Sequence, residues 1–181
     1  MTTPRAPERI ETERLVLRRP ALADAEDVFT RYAGDPAVTR FMSFPTHRSI
    51  SDARAFLEHC QTEWTRWPAG AYLICARTDG ALLGSTGFTF ETELCATTGY
   101  ILATDAWGLG LASEALRAVV ALAPSLGLRR LQANCHPEHR PSQRVLEKCG
   151  FALEGTMGRR VIFPNLADEP LDTLTYALLF A

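Results

Sequence analysis

Residues 106–116 read AWGLGLASEAL, with Gly108 and Gly110 one residue apart and a helix-like run directly after them. Glycines ahead of a helix suit an anion. The first N–H groups of a helix have no internal partner, and the helix dipole places roughly half a positive charge at that end. A residue without Cβ also lets a phosphate come close to the backbone. The loop that binds ATP or GTP requires GxxxxGK[ST], and no lysine follows either glycine here. A dinucleotide fingerprint requires a third small residue and an acidic residue about 20 positions on. Ser113 stands at the third position, and the later stretch reads SLGLRRLQ. An anion site for another phosphate ligand and a plain helix start remain as readings.

Other chemistry-bearing residues lie on either side. Glu91 and Glu93 alternate on one face of a strand or its turn, where carboxylates serve as bases or as ordinary surface charge. Downstream, HRPSQRVLEKCGF spans residues 139–151. Its Ser142 offers a hydroxyl at a helix start, where serine is also a common cap. His139 is an imidazole able to titrate near neutrality, or a loop histidine in solvent. Arg140, Arg144 and Lys148 share one polar stripe at i, i+4 spacing, suited to a phosphate or to water.

Periodicity supplies the elements that position these groups. Leu15, Val16 and Leu17 read as a first strand, and residues 21–32 and 51–67 as amphipathic helices. Residues 71–77, 81–90 and a third strand ending near Leu102 form an antiparallel meander, with turns at 78–80 and 91–94. A helix then runs from the glycines to about residue 126, followed by a strand over 128–135 and a helix over 142–149 stopped by Gly150. Residues 151–154, 160–163 and 171–179 read as closing strands. A meander feeding a βαβ crossover predicts a mixed α/β fold.

These residues resemble a known family, the GCN5-related N-acetyltransferases, whose turn follows [RQ]xxGx[GA]. Trp107, Gly110 and Ala112 occupy the three positions, and Trp107 in place of Arg or Gln is similar to the ribosomal-protein alanine N-acetyltransferase-like (RimJ/RimL-like) branch. The segments TERLVLRRPALADAEDV, AVTRFMSFPTHRSISDARAFL, TTGYILATDAWGLGLASEAL and HPEHRPSQRVLEKCGFALEG look like that branch's successive segments, in its order. The resemblance implies one N-acetyltransferase domain over residues 1–181. It also implies a central twisted, mostly antiparallel sheet of about seven strands with helices on both faces.

It implies acetyl-CoA as cofactor and acetyl transfer by direct attack of a primary amine. The amides of Trp107, Gly108, Leu109, Gly110, Leu111, Ala112 and Ser113 would hold the pyrophosphate. Ile101 and Leu102 would lie along the pantetheine arm, with the Leu102 N–H toward the thioester carbonyl. Ser142 would protonate the leaving thiolate, His139 stands where the branch has an Asn that bonds the arm, and Arg144 would face a phosphate. The acid common in the branch two positions before Gly99-Tyr100 is Thr97 here, so Glu91, with Glu93 as its neighbour, or a water relay from Glu91 or His139, is the expected base. Tyr100 would orient substrate or pack. Phe41, Met42, Phe44, Trp67, Phe88 and Phe90 are the expected acceptor wall. The acceptor is expected to be a protein N-terminus or a small amine; the alternative is a non-catalytic acyl-CoA-binding module.

Composition bounds the rest. A formal charge of −2 argues against nucleic acid as a partner, and no apolar run reaches the roughly 18 residues of a membrane span. Five cysteines with no CxxC pair point to buried thiols in a reducing, cytoplasmic setting. A monomer or homodimer is expected.

Overall fold

The computed structural model describes residues 4–181. A single eight-stranded sheet has the order β1-β2-β3-β4-β5-β6-β8-β7, built from β1 (Arg9–Glu11), β2 (Leu15–Arg18), β3 (Ala71–Ala76), β4 (Leu82–Phe90), β5 (Cys95–Leu102), β6 (Arg130–Cys135), β7 (Ala152–Ile162) and β8 (Pro170–Leu179). Every neighbouring pair is antiparallel except β5 and β6. That parallel pair requires a crossover, which α4 (Leu111–Leu122) supplies.

Both faces of the central strands are buried, and their alternation divides the core in two. Leu15, Leu17, Tyr72, Ile74 and Leu102 pack on one side with Ala115, Leu116 and Val119 of α4 and Leu146 of α5 (Arg140–Lys148). Val16, Leu73, Cys75 and Ile101 point the other way, toward α1 (Ala25–Val28) and Ala53 and Leu57 of α3 (Ile50–Arg66). α3 begins at a capping box in which Ser49 and Asp52 satisfy each other's end of the turn. Gly84 is fixed by close approach, because a Cβ there would collide with the Ile101 carbonyl oxygen across the β4–β5 pair.

Several elements differ from the sequence expectation. The sheet has eight strands, with the short β1 added at the edge. The expected strands at 151–154 and 160–163 are one strand, β7, whose register against β8 shifts twice and whose Arg159 has φ +46°. Such bulges hide the alternation that marks a strand. The helix expected over 21–32 is a 3₁₀ turn (Leu22–Asp24), then α1, then a π turn (Phe29–Ala33). A short α2 (Pro36–Thr39) follows, started by Pro at its first position and capped by Asp35. Pro124 tightens the end of the crossover helix into a 3₁₀ turn (Ala123–Leu126).

Candidate active site

The parallel pairing of β5 with β6 lasts only from Cys95–Arg130 to Thr97–Gln132. Beyond it β6 continues with β8, through Cys135–Leu174, while β5 continues with β4, through Leu102–Gly84. The two strands therefore part, leaving a V-shaped opening with its vertex at Thr97 and Gln132. The Ala103 N–H donates to the Leu83 carbonyl, which fixes the alternation of the β4–β5 ladder. Residues 101 and 99 then face β4, and the backbone groups of Tyr100 and Leu102 face the opening. The Leu102 carbonyl is already taken by Trp107 Nε1 at 2.8 Å, so its N–H is the group left toward the gap.

At the open end of β5 the chain makes a 3₁₀ turn (Thr104–Ala106) and enters the glycine turn. Gly108 and Gly110 have φ of +74° and +77°, values that suit glycine. Among the described residues, the N–H groups from Gly108 to Ser113 have no intramolecular acceptor, while the Trp107 N–H is bonded to the Thr104 carbonyl. The run of free amides is thus one residue shorter than expected, and Trp107 enters through its indole instead. A Cβ at Gly108 would meet nothing within 4 Å, so the turn opens to solvent. Leu109 is exposed, Leu111 packs inward, and the buried Ser113 accepts a hydrogen bond from the Cys149 thiol at its carbonyl, joining α4 to α5. Free amides beside an open strand edge fit a ligand with phosphate at one end and an extended amide chain at the other.

Tyr100 and Ser142 meet on the α4–α5 side of the opening. The Tyr100 hydroxyl lies 2.8 Å from both the Ser142 carbonyl and the Ser142 hydroxyl. Burial pushes the Tyr100 hydroxyl well above its ordinary pKa, so it stays protonated and able to donate. Ser142 does not cap α5. The helix begins two residues earlier than expected, at Arg140, its cap residue is His139, and Pro141 stands in its first turn. Arg144 is exposed on the outer surface of the same helix.

Thr97 is three residues from Tyr100 and so faces the opposite side of the sheet. Its hydroxyl donates to Glu91 Oε1 at 2.7 Å, and Gln132 Nε2 donates to the same oxygen at 2.6 Å. The Glu91 carboxylate therefore reaches the Thr97 position through space from the β4–β5 turn, and it sits at the vertex of the V. Glu93 does not share that face. The bends after Phe90 break the alternation, and Glu93 lines a cavity with Arg5, Arg66 and Trp67.

The aromatic wall is also smaller than expected. Trp67 stacks on Phe90 at 5.3 Å in that second cavity, and Phe88 belongs to the α4-side core. Met42 and Phe44 pack against the α3-side core. Phe41 remains, and it gathers residues that local sequence did not connect. His139 stacks on it at 4.7 Å and His136 at 5.0 Å, Arg40 lies over it at 5.1 Å, and Phe163 meets His136 edge-on. Asn165 ties this wall together, donating to the Thr39 and Phe44 carbonyls and accepting from the Thr46 N–H. Only the return of the β7–β8 connection brings these groups together, so no local signal marks them.

Burial lowers the pKa of His139, and nearby His136 lowers it further. Burial lowers His136 as well, with Arg40 adding to it against the opposing pull of Glu138. Burial likewise lowers His47, opposed by Asp52. A histidine whose folded pKa lies below its unfolded value of about 6.5 destabilises the fold on acidification, because the unfolded chain takes the proton first. Stability should be full above about pH 6.5 and fall as pH drops toward the lower folded values. With three such histidines, His139→Asn should make the acid-side decline below about pH 6.5 shallower without abolishing it. Chemical denaturation at a series of pH values measures it, and an unchanged slope would contradict the buried, neutral placement.

Comparisons with known proteins fit this geometry. Residues 14–152 match the model of the acetyltransferase (GNAT) domain. The chain is 33% identical over 153 residues to an uncharacterized N-acetyltransferase, p20, of Bacillus licheniformis, covering 83% of this chain and 85% of that protein. A crystal structure of a GNAT-family acetyltransferase from Bacillus anthracis superposes with a TM-score of 0.82 at 27% identity, covering 94% and 98% of the two chains. RimL, a ribosomal L7/L12 α-N-protein acetyltransferase solved with coenzyme A, superposes at 0.83 with 22% identity over 96% and 98%, a likeness of fold. With more than half its length matched by the family model, and with the turn, the parted strands and the crossover helix in place, the chain belongs to the acetyltransferase (GNAT) domain family.

Proposed function

We propose that the protein transfers the acetyl group of acetyl-CoA to a primary amine. The amine is the α-amine of a protein N-terminus or that of a small molecule. The observation that carries this reading is the continuity of the free-amide turn with the open edge of β5, which ends between a hydroxyl pair on one face and a carboxylate on the other. Acetyl-CoA supplies an activated acetyl group. The amides of Gly108 to Ser113 bind its pyrophosphate, and the Leu102 N–H, with that of Tyr100, pairs with the extended arm and the acyl oxygen. An amide aimed at an oxygen that gains charge can contribute about 3 kcal/mol.

The division of the two faces gives each residue a role. Ser142 passes its proton to the departing sulfur, Tyr100 turns its one hydrogen bond from the Ser142 carbonyl to the Ser142 oxygen, and the proton that the attacking nitrogen sheds as the amide forms returns through water to Ser142. A small amine near pKa 10, or an N-terminal α-amine near pKa 8, arrives mostly protonated at neutral pH and must lose a proton before it attacks. Glu91 takes it from the opposite face. Its Oε1 is held by Thr97 and Gln132, and Oε2, which accepts only a long 3.9 Å contact from the Cys95 thiol, is the oxygen for the proton. His139, neutral and stacked on Phe41, forms part of the acceptor wall. The RimL neighbour, named for an N-terminal α-amine acceptor, supports that half of the acceptor reading.

Acetyl-CoA at about 100 times its Kd should stabilise the fold by about 2.7 kcal/mol in a thermal-shift assay, and NADPH should not. Thiol release with a panel of N-terminal peptides and small amines then tests catalysis. Binding without release above hydrolysis by any acceptor would favour a non-catalytic acyl-CoA-binding module.

A further inference from the structure

The glycine turn is strapped from behind by residues almost a hundred positions earlier in the chain. Glu114, in the first turn of α4, accepts at Oε1 from the Thr12 hydroxyl (2.6 Å) and the Arg14 backbone N–H (2.8 Å). Its Oε2 accepts from Arg14 Nε at 2.7 Å. The same guanidinium then donates from Nη1 to the Leu109 carbonyl at 2.9 Å. Arg14 itself is anchored, since its carbonyl accepts from the Arg77 N–H at 2.9 Å. One planar fork therefore joins the loop before β2, the first turn of α4 and the peptide between the two glycines.

The direction of that last bond matters. In a trans peptide the C=O and N–H point to opposite sides. Holding the Leu109 oxygen on the Arg14 side therefore aims the Gly110 N–H to the other side, toward open solvent and the free amides that follow it. A helix N-terminus supplies the later amides by its own geometry, whereas the Gly110 amide lies outside the helix and needs this restraint.

We infer that Arg14, held by Glu114, is a positioning residue that aims the Gly110 amide at the pyrophosphate of coenzyme A; this rests on the coenzyme reading proposed above. Glu114 is suited to the task. Burial alone would raise its pKa, but the bonds from Thr12 and Arg14 outweigh that and hold it below the ordinary range, so it remains a charged acceptor. Lysine cannot replace Arg14, because a single ammonium on a flexible stem cannot span both acceptors in a fixed plane.

Calorimetric titration of wild type, Arg14→Ala, Arg14→Lys and Glu114→Gln with coenzyme A and with pantetheine, which lacks the pyrophosphate, tests this. The Kd for coenzyme A should rise about tenfold in both Arg14 variants, the scale of one charge-assisted hydrogen bond, and less in Glu114→Gln. Pantetheine affinity should not change. Arg14 is half exposed, and Glu114→Gln keeps the side chain's shape, so a folding defect in one variant leaves the other informative. Unchanged coenzyme A affinity in Arg14→Ala, full recovery in Arg14→Lys, or an equal loss for pantetheine would overturn the inference. Failure of the wild type to bind coenzyme A would instead overturn the reading on which it rests.

Discussion

Glu91→Gln is expected to lower kcat at pH 7 by roughly 10²-fold, the lower end of what a positioned base contributes, with little effect on the affinity for acetyl-CoA. The substitution keeps the size of the side chain and an oxygen for Thr97 and Gln132, so the vertex of the V stays closed. What it removes is the negative charge of that knot, where Arg130 donates to the other end of Gln132 at 3.2 Å. The lower end of the range follows from exposure: Glu91 is open to water, and water takes over part of the proton transfer. The defect should therefore depend on pH. As pH rises toward the amine's own pKa, more substrate arrives already neutral, and the gap between variant and wild type should narrow about tenfold per pH unit, up to about pH 8 for an N-terminal α-amine and further for a small amine near pKa 10. Thr97→Val, which removes one of the two donors and leaves the carboxylate, should show a smaller loss with the wild-type pH profile. A Glu91→Gln enzyme with a parallel pH profile would place the base elsewhere, and His139 would be the next residue to change.

The contrast between Gly110 and Glu91 shows what the sequence could and could not carry. A glycine turn before an apolar helix is a local pattern. Its conformation depends on neighbours a few residues away, so φ near +77° and the free amides were legible from spacing. Ser142 was legible for the same reason, although its cap role was not realised, because the helix starts at Arg140. Glu91 depends on register instead. Its value lies in facing Thr97 across a hairpin and Gln132 across a parallel pair, and no local period encodes that parallel pair. The same holds for Phe41, His136, His139 and Phe163, which meet only when β7 and β8 return beside β6. Trp67 and Phe90 leave the expected wall for another reason: the pleat of β4 turns Phe90 into the α4-side core, and Trp67, at the end of α3, stacks on it there. Arg14 belongs to the TERLVLRRP segment that resembles the branch, but its bonds to Leu109 and Glu114 span almost a hundred residues and carry no local signal.

Ser142→Ala should lower kcat by about 10- to 10²-fold at saturating acetyl-CoA while leaving the Kd for coenzyme A within about twofold. The split follows from geometry. The free backbone amides proposed for the pyrophosphate belong to another element, and α5 keeps its start, since Ser142 caps nothing. Tyr100→Phe should show a smaller loss in the same direction, because it removes the donor that replaces the Ser142 proton and leaves the hydroxyl itself. The size of the effect is limited by the leaving group. A thiol with a pKa near 8.5 departs tolerably as thiolate, so a proton donor helps it less than it would help an alkoxide. Donor thioesters should therefore sort the two roles: with an acetyl aryl thioester, whose thiolate is a better leaving group, the Ser142→Ala defect should shrink toward unity. If the defect instead stays constant across leaving groups, or appears as lost coenzyme binding with turnover preserved at saturation, Ser142 acts by holding α5 against β5 through Tyr100, and the proton reaches the sulfur from solvent.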